Sequence, residues 1–157
     1  MRPGMQCLLD LLRGQTTQGS FDEGNWMAML DLAERENVLP WAARCLRCAQ
    51  SAPTPRLAEC LHEIDRTVRI STFLWTSTLK STLAIFHRRG IPVISLKGPW
   101  LAERLYGGAA LRSCSDLDLL VHHSDIAAAE ELLTELGFAP QAGAMITSGH
   151  GVVTASR

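Results

Sequence analysis

The sequence predicts an α+β protein, a helical N-terminal region followed by a sheet with flanking helices. Two observations carry this. Apolar residues recur at helical spacing from Leu57 to Phe86, and after Gly90 the pattern changes to two short apolar runs, Ile91–Leu96 and Leu117–His122. Runs of that length suit strands rather than helices. Hydrophobic residues make up 46% of the 157, enough for a core and too many for a disordered chain. The length fits one domain, or one small domain with a helical extension.

Taken in order, Met5–Leu12 reads as a short helix. Ser20 and Glu23 have capping-box spacing, and Trp26, Leu30 and Ala33 follow at helical spacing. Pro40 suits the first turn of the next helix, which runs through Cys48. Ser51–Pro55 is a linker, with Thr54-Pro55 a helix start. Leu57, Leu61, Ile64, Val68, Trp75, Leu79, Leu83 and Phe86 then share one helical face, with a kink expected near Ser71–Thr72. Gly90 stops this helix, and His87–Arg89 complement its C-terminal dipole. Strand Ile91–Leu96 leads through the Lys97-Gly98 turn into a short helix, Pro99–Tyr106. A loop, Gly107–Ser115, precedes the second strand. Ser124 caps a helix on which Ile126, Ala129, Leu133 and Leu136 face one way, and Gly137 stops it. The remainder reads as a weakly structured tail, in which Val152–Ala155 is a candidate strand.

The charge balance excludes some partners. Fifteen basic and 16 acidic residues leave a net charge of −1, so nothing draws the chain as a whole to nucleic acid or an anionic membrane. No apolar run approaches the roughly 18 residues of a membrane span. Leu8–Leu12 is broken by Asp10 and followed by Arg13, a poor signal peptide, so the expected compartment is the cytoplasm. Five cysteines at irregular spacing read as reduced thiols. Cys45, Cys48, Cys60 and His62 invite a zinc reading. The first pair lies in a helical pattern, however, and core packing is the simpler explanation. The four tryptophans (Trp26, Trp41, Trp75, Trp100) are packing groups, and no Ser-His-Asp order is present.

The chemistry concentrates in Ser115–Val121, where Asp116 and Asp118 stand two apart in an apolar run. Side chains at that spacing on a strand share a face. Adjacent anions repel and are costly to bury unless a cation holds them. Oxygen-only donors suit Mg²⁺ or Mn²⁺. The bland reading is a half-buried strand with solvated carboxylates. Against it stands the upstream turn, whose Gly98 offers backbone N–H groups to a phosphate at a helix start. Lys97 is a phosphate-binding point charge or a surface lysine at a strand end. Arg112 is a phosphate clamp or a partner of Glu103. Metal carboxylates beside a phosphate turn suggest chemistry on a nucleoside triphosphate.

At Leu96-Lys97-Gly98, Leu105-Tyr106, Arg112, Asp116–Val121 and Gly137-Phe138, the chain resembles the uncharacterised nucleotidyltransferase family of the DNA polymerase β superfamily. Val38-Leu39-Pro40 extends the likeness upstream, so that it covers about Trp26 to Phe138. The resemblance implies a partial nucleotidyltransferase-like mixed sheet with flanking helices: residues 1–90 helical, 91–138 the partial core, 139–157 the tail. It implies two-metal nucleotidyl transfer, with Asp116 and Asp118 as catalytic metal ligands and Lys97, Gly98 and Arg112 on the nucleotide. The superfamily turn is usually Gly-Ser, where this chain has Lys97-Gly98-Pro99. A third carboxylate lies on a later strand in that superfamily, and nothing acidic follows Glu135. The chain therefore reads as a shortened member. The expected reaction is metal-dependent transfer of a nucleoside monophosphate to an unidentified acceptor, impaired by the missing acid. Expected partners are a nucleoside triphosphate, that acceptor, and a protein or second copy; a membrane is not expected. The rival readings are a non-catalytic remnant and a helical interaction module centred on Trp26–Phe86.

Overall fold

A period near 3.6 residues runs through to Arg88, and beyond it short strands alternate with helices. The computed structural model describes residues 3–14, 23–48, 54–140, 145–147 and 150–156. Four helices come first: α1 (Pro3–Leu12), α2 (Glu23–Arg35), α3 (Leu39–Cys48) and α4 (Pro55–Arg88). Then follow β1 (Val93–Ser95), α5 (Pro99–Tyr106), β2 (Asp116–His122), α6 (Ile126–Glu135), β3 (Ala139–Pro140), β4 (Met145–Thr147) and β5 (His150–Ser156). The α+β class with leading helices holds.

The chain groups into two units. The first comprises Met1–Ile70 with Ala110–Ser113, the second Ser71–Ala109 with Cys114–Arg157. These divisions differ from the boundaries near 90 and 138 read from the sequence. The reason is packing: Leu79, Thr82 and Phe86 of α4 are buried, and Leu79 and Phe86 join the apolar cluster of the sheet.

In the first unit, Cys7, Leu8 and Leu11 of α1 bury against Met29, Leu30 and Ala33 of α2 and Ala42, Ala43 and Leu46 of α3, with Leu57 and Leu61 of α4. Asn37 takes a left-handed φ of 56° between α2 and α3, a conformation that asparagine tolerates better than most residues. Thr54 caps α4, its Oγ1 accepting the Leu57 N–H at 3.3 Å. The expected Ser20 cap and residues 51–53 of the expected linker lie outside the described residues. α4 has 34 residues, and its helical run is unbroken at Ser71–Thr72, the expected kink. Its apolar face is less uniform than the period suggests: Ile64, Val68 and Trp75 are half-buried, and Ile70, Phe73 and Leu74 are exposed.

In the second unit the sheet has the order β1-β2-β5-β3, with β4 also pairing β5. Every described pairing is antiparallel. Pro92 directly precedes β1 at one edge, and Pro140 ends β3 on the opposite side of β5. Leu117, Leu119 and Val121 of β2 lie opposite Ala155, Val153 and Gly151 of β5. This face packs with Ala129, Leu132 and Leu133 of α6, Phe138, and Leu79 and Phe86 of α4. A Cβ on Gly151 would run into the Cδ1 end of the Ile126 side chain, which would have to shift to admit it. The expected weakly structured tail needs correction. His150–Ser156 forms a seven-residue strand between β2 and β3, held because Val153 and Ala155 bury on the core face.

Candidate functional site

Strand alternation sends Asp116, Asp118 and Leu120 to the face opposite Leu117, Leu119 and Val121. That face carries the polar chemistry. Asp118 is nevertheless buried, while Asp116 is half-buried. The neighbouring strand sets Thr154 directly across from Asp118.

The Lys97–Gly98 turn reaches the same place because β1 pairs with β2. Their register continues past Ser95, the Leu96 N–H donating to the Asp118 carbonyl at 2.9 Å. The chain then turns. Gly98 has φ 80° and precedes α5, with Pro99 in the first helical turn, a left-handed conformation that favours glycine. Ser95 Oγ donates to the Lys97 carbonyl at 3.1 Å, bracing the turn.

These two segments meet at one carboxylate. Lys97 Nζ lies 2.7 Å from Asp118 Oδ2, and Thr154 Oγ1 donates to Asp118 Oδ1 at 2.7 Å. The lysine side chain is 56% exposed and the aspartate 6%. A buried carboxylate thus has a counter-charge and a hydroxyl donor, as burial of an ion requires. Asp116 accepts a longer bond, 3.4 Å, from Ser115 Oγ, and its carbonyl accepts from Cys114 Sγ at 3.2 Å.

The structure therefore joins Lys97 to Asp118 and places Asp116 on the same face, with Gly98 in the adjoining turn. Arg112 lies in Ala110–Ser113, which groups with the first unit. Glu103, its alternative partner, accepts the Ala109 backbone N–H at 2.8 Å. Thr154 was missed by sequence reasoning. Its signal was the Val152–Ala155 alternation, which marks a strand but not its neighbour. At the far end of the same strands His122 and His150 stand opposite each other, ring centroids 5.6 Å apart.

A divalent cation fits these donors in kind but not in number. Two carboxylates on one face are hard oxygen donors. Among the described residues, however, no group of three or more His, Cys, Asp or Glu converges. Asp118 already spends one oxygen on Thr154 and the other on Lys97.

Helices leading into a sheet whose second strand carries Asp-x-Asp agree with what the resemblance to nucleotidyltransferases implies. A family model described as an uncharacterised nucleotidyltransferase matches residues 22–153, and the chain belongs to that family. No curated protein and no solved structure matches it. No described helix is long and apolar enough to cross a membrane.

Proposed function

We propose that the chain receives a nucleoside triphosphate at the Lys97–Gly98 turn and the Asp116/Asp118 face, and transfers its nucleoside monophosphate only poorly. The observation supporting this is the 2.7 Å contact between Lys97 and Asp118, which brings the turn and the carboxylate strand to one place. In such a transfer an acceptor hydroxyl oxygen bonds to the α-phosphorus, pyrophosphate leaves, and the hydroxyl proton passes to a base. Gly98 gives the phosphates close backbone approach, and Lys97 supplies a point charge. Mg²⁺ or Mn²⁺ would neutralise phosphate charge, but a third acidic donor is missing from the described site. Thr154 stands across from Asp118, at a position from which a carboxylate would reach the same spot.

Losing one essential catalytic group commonly costs several powers of ten. Pyrophosphate release from each NTP, with a panel of hydroxyl acceptors, should therefore be close to background. Mg²⁺-ATP or Mg²⁺-GTP should still bind, and binding should vanish in Asp116→Ala/Asp118→Ala. Robust turnover abolished by Asp116→Ala would refute the impaired reading. The engagement of both Asp118 oxygens favours a second reading, a non-catalytic remnant, which predicts weak nucleotide binding or none in wild type, and no transfer.

A further inference from the structure

Four apolar side chains on the site face of the sheet lie outside both cores. The β1–β2 register sets Ile94 across from Leu120, and the β2–β5 register sets Leu120 across from Val152. Leu96, whose N–H donates to the Asp118 carbonyl, continues that register and stands across from Asp118. Residues directly across a ladder share a face. Ile94, Leu120 and Val152 thus form a row beside the row of Leu96, Asp118 and Thr154. None of these four apolar residues joins either apolar cluster of the described chain, and Ile94 is 62% exposed although it sits in a strand. Of the eight exposed large apolar side chains among the described residues, five lie between Ile94 and Tyr106, the stretch that contains the Lys97–Gly98 turn. We propose that Ile94 and Leu96, with Leu120 and Val152, seat the base of the nucleoside triphosphate and make the site prefer purines.

This deepens the reading of the turn as a triphosphate site and rests on it. Neighbouring side chains on one strand face are two residues apart, about 7 Å, so the apolar row lies about the span of a ribose from Asp118. A nucleotide with its phosphates at the Lys97–Gly98 turn meets an apolar surface where its base falls. In the other direction the next row is Asp116 with Ser156, which offers a ring face nothing apolar to cover. The strip is also narrow. His122 and His150 stand across from each other immediately beyond it, so polar rows bound it on both sides. That width suits a single ring system rather than a protein segment. Covering a ring face with aliphatic side chains gains free energy in proportion to the apolar area removed from water, so a purine gains more than a pyrimidine. Ile94, Leu120 and Val152 have no side-chain donor or acceptor with which to read a base edge. An apolar seat discriminates weakly between ligands of equal size, and ATP and GTP are therefore held alike.

The test is calorimetric titration of the full chain with the Mg²⁺ complexes of ATP, GTP, CTP, UTP and inorganic tripolyphosphate, which has the phosphates without the base. Ile94→Thr keeps a β-branched residue in the strand while shrinking the apolar surface, and Ile94→Tyr enlarges it. Phe73→Ala removes an apolar side chain of comparable exposure from α4 as a control. Wild type should bind ATP and GTP alike, roughly tenfold tighter than tripolyphosphate, with CTP and UTP between. Ile94→Thr should weaken all four nucleotides several-fold and Ile94→Tyr should tighten them. Phe73→Ala should change nothing, and tripolyphosphate affinity should stay constant throughout. Nucleotide affinities unchanged in both Ile94 variants, or tripolyphosphate held as tightly as ATP by wild type, overturn the base seat and leave the triphosphate reading standing. A loss in Ile94→Thr that is equal for tripolyphosphate and nucleotides does the same. Failure of wild type to bind any of the five ligands overturns both. Should Ile94→Thr fail to fold, Ile94→Tyr and the wild-type comparison of ATP with tripolyphosphate decide.

Discussion

Among the described residues, the helical unit buries only apolar side chains, from Cys7 and Leu8 to Leu57 and Leu61, whereas the sheet unit buries Thr82 and Asp118 alongside its apolar core. The two therefore answer to different rules. Apolar packing is non-directional and accepts swaps that conserve volume. A buried carboxylate is directional, and removing one of its partners leaves an ion without compensation. Local violations of the apolar rule are expected where function demands them. The sheet unit, in which the proposed site lies, is thus set apart by its burial alone.

The sharpest test compares core truncations in the two units. Phe86→Ala, at a fully buried position in the sheet unit, should cost about 3–5 kcal/mol in urea unfolding. Leu61→Ala in the helical unit should cost about 2–5 kcal/mol. An unchanged midpoint for Leu61→Ala would show that the buried face of α4 is misassigned.

Overpacking comes next. Gly151→Ala should destabilise by about 1–3 kcal/mol, because the new methyl meets the end of Ile126. Adding Ile126→Val removes Cδ1 and should recover part of the loss. No recovery would mean that the contact between β5 and α6 is looser than described.

A smaller effect separates directional from non-directional burial. Thr154→Val keeps shape but takes the donor from Asp118 Oδ1, and should cost about 1–2 kcal/mol. Leu30→Met, a volume-conserving swap in the helical core, should cost less than about 1.5 kcal/mol. If Thr154→Val proved neutral, the contrast between the units would lose its basis.

The smallest effect is alkaline. Burial, and secondarily the Asp10 charge, push the Cys7 thiol above its ordinary value of 9.0. The folded state then holds that proton more tightly than the unfolded state. The resulting stability is complete below pH 9.0 and is lost as the pH rises toward the higher folded value. Wild type should therefore lose thermal stability above pH 9 more steeply than Cys7→Ala. Parallel pH curves would remove Cys7 from the account.

How much of this was legible depended on how far apart the interacting residues lie in sequence. The helical face of α4, the Gly90 stop, and the strands carrying Ile94 and Asp118 follow from spacing within a dozen residues. The position of β5 does not, because Val152–Ala155 announces a strand without naming its neighbour. Part of the requirement at Asp118 was legible: a carboxylate in an apolar run calls for a counter-charge. What sequence could not reveal was which cation. A metal ion and Lys97, well upstream, satisfy the same electrostatic demand, and only the β1–β2 register places the lysine on that oxygen. Arg112 shows the converse. A guanidinium close to the carboxylates in sequence groups with the other unit.

The prolines beside the sheet have a consequence of their own. β1 is a short edge strand with Ile94 turned out to solvent, the kind of surface on which a foreign strand can add. Pro92, just before β1, and Pro140, at the end of β3, have no N–H to offer. Each side of the ladder is thus interrupted where it would otherwise continue. A chain whose β5 has not yet docked would expose the apolar strand β2 along an edge that neither proline guards, because β3 reaches the sheet only through β5.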